Sequence, residues 1–123
     1  MKFDAAQLMR VAEELLKYCY LKGGRHVILS YDFGVERSFC AVHAKDIVLS
    51  EPDQEHLRKV FDGPVQPEVG NYYGSLAGRR RDELEMELVG TMAELDELDS
   101  EPGLGTRIVV SRREAEYRSS HGY

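Results

Sequence analysis

The chain has 123 residues, enough for one hydrophobic core and too few for two. Hydrophobic residues make up 42% and charged residues 31%, the balance of a globular domain, and no apolar run approaches the ~20 residues that a bilayer-spanning helix needs, so neither a membrane protein nor a disordered chain is expected. With 22 acidic against 16 basic side chains and a formal net charge of −6, the chain would repel a phosphate backbone, so nucleic acid is not an expected partner.

Asp4 and Gln7 stand three apart ahead of an apolar pattern at Leu8, Val11, Ala12, Leu15, Leu16 and Cys19, as an N-capped amphipathic helix requires. Its opening, MKFDAAQLMR, carries charge within ten residues and lacks the uninterrupted apolar stretch of an export signal, so a cytoplasmic location is expected. Gly23 and Gly24 end this helix. The run His26-Val-Ile-Leu-Ser-Tyr31, a turn at Asp32-Phe33-Gly34 and a second extended run from Ser38 to Ala44 predict an antiparallel hairpin. From Ser50, with Pro52 in a first turn and Leu57, Val60 and Phe61 at helical spacing, a short second helix follows.

Residues 62–78 hold Gly63, Pro64, Pro67, Gly70, Gly74 and Gly78, a density of backbone breakers that predicts a long connection. Leu84, Leu88, Met92 and Leu95 then mark one stripe of a third helix with an acidic opposite face. A tight turn over Asp99-Ser-Glu-Pro-Gly-Leu-Gly105 leads into a strand over Thr106-Arg-Ile-Val-Val-Ser111. Residues 114–123 offer little that anchors to a core and are expected to form a frayed tail behind a domain of residues 1–113. The predicted order is helix, strand, strand, helix, loop, helix, strand, strand. Helices that bury one stripe each and hairpins that need one face covered give a two-layer α+β sandwich.

Cys19 and Cys40 fall within apolar patterns and lack zinc-site spacing; buried reduced thiols and a single disulfide are both open, the former being commoner. His26, His43, His56 and His121 are scattered, with no ligand spacing to the cysteines, so no metal is expected.

The turn Asp99-Ser-Glu-Pro-Gly-Leu-Gly-Thr106 with its following strand resembles the closing turn and strand of the histidine-kinase and anti-sigma-factor serine kinase ATP-binding domains, the GHKL or histidine-kinase-like ATPase fold. Pro52, Leu57, Val60 and Phe61 resemble the family's short helix after the adenine-binding loop, and Glu13-Glu-Leu-Leu-Lys-Tyr-Cys-Tyr20 resembles its first conserved helix, although the family's extra N-terminal elements are absent. The resemblance implies a mixed four- or five-stranded sheet with helices on one face, and ATP with magnesium held between a helix and a lid. It assigns a general-base glutamate to Glu14, but Tyr18 stands where an asparagine would hold the metal, and a phenol is a poor ligand for a cation that demands tight octahedral oxygen coordination. Asp46 takes the adenine-binding position, with Val48 and Ser50 where glycines are expected; Gly105 and Thr106 complete the cofactor-binding set. Glu83 and Glu85 fall near two glycines of the phosphate loop, where a carboxylate within ~4 Å of a phosphate costs about 1–4 kcal/mol.

Each of these residues also has a plain reading: Glu14 as a solvent-facing helix carboxylate, Asp46 as a turn cap, Thr106 as a strand threonine. Arg79, Arg80 and Arg81 read either as surface charges paired with neighbouring acids or, behind Gly74 to Gly78, as a rebuilt anion site. Tyr72 and Tyr73 read as a lid over a partner or as aromatics packed on a core edge. The leading expectation is a non-catalytic regulatory domain that binds a protein, such as a sigma factor or a two-component signalling protein. The loop from Gly63 to Gly78 with Tyr72 and Tyr73, the triplet Arg79, Arg80 and Arg81, and the first helix would form its contact surface, and self-association supported by the first helix is a further expectation. The alternatives are an active ATP-binding serine or histidine protein kinase module using Glu14, and an unrelated α+β fold that shares the terminal turn by chance.

Overall fold

The computed structural model describes residues 4–65 and 85–114. Its first element, α1 (Asp4–Leu21), buries Leu8, Val11, Ala12, Leu15, Tyr18 and Cys19 along one stripe. Leu16, expected on that stripe, points away and is more than a third exposed, while Tyr18 takes the core position; the helical angle places 11, 15 and 18 together and carries 16 off the face. The chain leaves α1 through Gly23, whose φ of +101° suits only glycine.

β1 (Val27–Phe33) and β2 (Arg37–Ala44) pair antiparallel, as the hairpin pattern predicts. The reversal lies at residues 34–36, two residues later than expected, because Asp32 and Phe33 continue the ladder opposite Phe39 and Ser38. β2 alternates strictly: Ser38, Cys40, Val42 and Ala44 are buried beneath α1, and the residues between them face the other way.

α2 (Glu51–Val60) starts where Ser50 and Pro52 predict, with Ser50 Oγ accepting the Asp53 N–H at 3.2 Å. Of the expected third helix, the described residues show one turn, α3 (Met86–Val89), and Met92 lies in the turns behind it. Leu95 belongs instead to β3 (Glu94–Glu101). Between Leu95 and Glu97 the register shifts by a β-bulge, which inserts Asp96 and returns both Leu95 and Leu98 to the core face. A spacing of three between apolar residues, normally the mark of a helix, is here the mark of a bulged strand.

β4 (Gly105–Arg113) follows a turn at 102–104, so Asp99, Ser100 and Glu101, expected in the turn, are strand residues. The sheet order is β1-β2-β4-β3. Every ladder is antiparallel, which corrects the mixed sheet implied by the family resemblance: both hairpins close through short turns, and β2 meets β4 head to tail. The molecule is thus α+β, with a four-stranded sheet whose one face, together with α1, Leu57 and Phe61 of the α2 end, and Met86 and Val89 of α3, forms a single core. Glu114, expected to begin a frayed tail, is tied to the hairpin: its N–H donates to the Glu36 carbonyl and its carboxylate accepts from Ser38 Oγ. The tail residues beyond it, and residues 66–84 of the long connection, lie outside the described residues.

Candidate functional site

Three of the residues assigned to a nucleotide converge on one stretch of backbone, residues 44–49, between β2 and α2. Gly105 opens β4 at φ +87°, and a Cβ there would sit 2.5 Å from the Ala44 carbonyl and 2.7 Å from that of Lys45. Its bareness therefore serves close packing of the chain on itself. Asp46 turns back to the start of β1: Oδ2 accepts the Arg25 N–H at 2.8 Å and Oδ1 the His26 N–H at 3.4 Å. The Arg25 amide holds its carboxyl below the usual aspartate range.

Thr106, fully buried, donates its hydroxyl to the Ile47 carbonyl at 3.0 Å and lies 2.8 Å from Ser100 Oγ, which accepts the Leu49 N–H at 2.7 Å. Each hydroxyl has one proton, and a carbonyl cannot donate, so the direction of this chain is settled: Leu49 N–H to Ser100, Ser100 to Thr106, Thr106 to Ile47. Two strands thereby clamp the connection, and the side chains of Ile47 and Leu49 are pressed into the core while Val48 stays outside. Ser50, at another expected glycine position, is the α2 cap.

Glu14 lies elsewhere and is not solvent-facing. It is 1% exposed, because the same turn of α1 that buries Leu15 and Tyr18 carries it inward. Its Oε1 accepts from Lys17 Nζ at 3.3 Å and its Oε2 from the Glu85 N–H at 3.0 Å, just ahead of α3. A buried carboxylate survives only with such partners. One turn further along α1, the Tyr18 hydroxyl is buried without a hydrogen-bond partner, and burial, aided by Asp53 and Cys19, pushes it up to about 12. Lys22 continues this line, 5.5 Å from the Tyr18 ring and 3.0 Å from the Asp53 carboxylate, joining α1 to α2.

These groups fit a magnesium nucleotide poorly. A phenol stands where the resemblance would set an amide oxygen, and the carboxylate of Glu14 already takes the amide ahead of α3, where the resemblance would set a phosphate. Tyr72, Tyr73, Arg79, Arg80 and Arg81 lie outside the described residues, as does Glu83.

What sequence reasoning passed over is the distribution of exposed apolar side chains. Ile28, Tyr31, Phe33, Val35 and Phe39 are all exposed on the β1–β2 hairpin, with Val35 at 88%. Tyr31 and Phe33 stack with ring centroids 5.4 Å apart and planes within 7°. Met9, Leu16 and Tyr20 form an exposed apolar stripe on α1 at helical spacing, and α1 itself packs on β1 as well as on β2 and β4. The available signal was the β1 run itself, whose apolar residues fall at both strand parities while, among the described residues, helices pack on one face only.

The face of the sheet away from α1 carries Ile28 and Phe39 at the β1–β2 end and charged pairs towards β3. Arg37 meets Glu94 at 2.6 Å and Ser111 Oγ at 3.0 Å, and Arg107 meets Glu97 at 2.6 Å. Arg107 holds Glu97 low, whereas the neighbouring Glu97 raises Asp99. Cys19 and Cys40 are free thiols, both pushed up to about 11 chiefly by burial. No described helix is long and apolar enough to cross a membrane, and the described residues hold no group of three or more His, Cys, Asp or Glu placed for a metal. No family model, curated protein or solved structure matches the chain.

Proposed function

We propose that the chain is a non-catalytic regulatory domain of histidine-kinase-like descent that acts by binding a protein, with a sigma factor or a two-component signalling protein as the class of partner. One observation carries this reading: Glu14, Asp46, Gly105 and Thr106 are spent on holding the chain together, while apolar side chains stand exposed on the β1–β2 hairpin and the adjoining side of α1. Such clusters on a small domain mark contact surfaces. The element order and the turn at 102–104 support the descent. The antiparallel four-stranded sheet departs from the mixed sheet of that family, so the descent rests on the element order and the turn alone.

Calorimetric titration with ATP and magnesium to millimolar concentration tests the reading. The expected result is no saturable heat; magnesium-dependent binding at micromolar ATP would overturn it. A Glu14→Gln variant gives a second check. The amide oxygen still accepts the Glu85 N–H, but the NH2 then faces Lys17 Nζ, so that hydrogen bond is lost with the charge; the expected outcome is a less stable but folded domain with unchanged protein binding.

A further inference from the structure

The two edges of the sheet are built differently. β3 carries Glu94, Asp96, Glu97, Asp99 and Glu101, and the bulge at Asp96 bends it, so another strand meets both irregular spacing and negative charge. β1 has neither device: its register on β2 is unbroken over seven residues, it contains no proline or lysine, and its one charged residue is Asp32. The Lys45 N–H donates to the His26 carbonyl, so residues 26, 28, 30 and 32 spend their backbone groups on β2. The N–H and C=O of Val27, Leu29, Tyr31 and Phe33 therefore turn outward, with no further strand of the described sheet beyond them.

The ends of β1 differ in charge. Arg25 and His26 precede it, both exposed, while Asp32 and Glu36 lie at its other end, also exposed. Antiparallel approach of two such strands sets basic against acidic, whereas parallel approach sets like on like. A two-fold axis at Ser30 puts Val27 opposite Phe33 and Leu29 opposite Tyr31, which uses every outward-facing residue and keeps all four side chains on the helix-covered face. The exposed stripe of Met9, Leu16 and Tyr20 flanks that face.

We propose that β1 is a self-association edge, on which a second copy of this chain adds its own β1 antiparallel about Ser30, joining two four-stranded sheets into one of eight strands. The contact is isologous, as a closed dimer requires. This goes beyond the nucleotide-independent regulatory reading, and neither its success nor its failure alters the ATP titration above.

Sedimentation equilibrium of the full chain across a concentration series tests it, alongside circular dichroism to confirm folding. Twice the chain mass is expected at tens of micromolar. Phe33→Lys places a charge on the shared face, and Tyr31→Pro removes an outward N–H that β2 does not use; each is expected to give a folded monomer, with association weakened at least tenfold. Leu104→Lys, in the exposed turn between β3 and β4, is expected to remain a dimer. A wild-type chain that stays monomeric at millimolar concentration overturns the proposal. So does a dimer that survives both edge substitutions, or one that Leu104→Lys abolishes.

Discussion

The first hairpin and the second solve opposite problems with the same architecture. In β3–β4, Arg107 and Glu97 pair across the ladder, Ser100 and Thr106 clamp the connection at 47–49, Arg112 donates to the Met92 carbonyl at 2.6 Å from within the core, and the outer strand is acidic and bulged. In β1–β2 only the inner strand is fully committed. Its outer strand leaves Ile28, Tyr31 and Phe33 exposed on a backbone that pairs with β2 in unbroken register along one edge and with no described strand along the other. The contrast fits the division of labour proposed above, in which the second hairpin holds the fold and the first is the contact surface.

That division can be attacked at the second hairpin, where substitutions are expected to cost most. Gly105→Ala forces a side chain into a positive-φ position and against the Ala44 carbonyl, and is expected to destabilise the domain by roughly 2–5 kcal/mol. Gly103→Ala shares the positive φ but meets nothing within 4 Å, so about 1–2 kcal/mol is expected; equal losses in urea unfolding would remove the packing role assigned to Gly105. Next in size is Thr106→Val, which strands the buried Ile47 carbonyl and leaves the Ser100 hydroxyl without its acceptor, for about 1–3 kcal/mol. The same denaturation assay reads it, and a loss under about 0.5 kcal/mol would mean the clamp is dispensable.

Alkali sharpens the comparison in another way. Cys19 and Cys40 sit near 11 and Tyr18 near 12, above their ordinary values of 9.0 and 10.0, because burial disfavours the anions. An unfolded chain therefore releases these protons first, so their contribution is complete below about pH 9 and is lost as pH rises towards 12. Melting temperature followed from pH 8 to 11.5 is expected to fall steeply above about 9.5, and a flat profile would contradict the burial of these groups. The smallest effect is expected for Arg107→Ala, whose ion pair with Glu97 is nearly half exposed: under 1 kcal/mol, and less in high salt.

The elements that announced themselves were those with local signatures. Ser50 and Pro52 marked the start of α2, and the period of α1 selected Leu8, Val11, Leu15 and Cys19 correctly. β3 was hidden because a bulge gives a strand the apolar spacing of a helix, so Leu95 read as the end of a helical stripe. The surroundings of the assigned residues were not legible. Asp46 and Thr106 were assigned to adenine, yet their partners, the Arg25 amide and the Ile47 carbonyl, are backbone groups far along the chain that no side-chain pattern advertises. Glu14 shows the same limit, since its burial depends on Glu85, 71 positions away.

Amide hydrogen exchange at low and high protein concentration tests the asymmetry of the two edges most directly. The N–H groups of Leu29, Tyr31 and Phe33 are expected to exchange quickly in dilute protein and to become protected as concentration rises, while outer amides of β3 exchange at the same rate throughout. Concentration-independent exchange at β1, or protection that appears at β3 instead, would contradict the account.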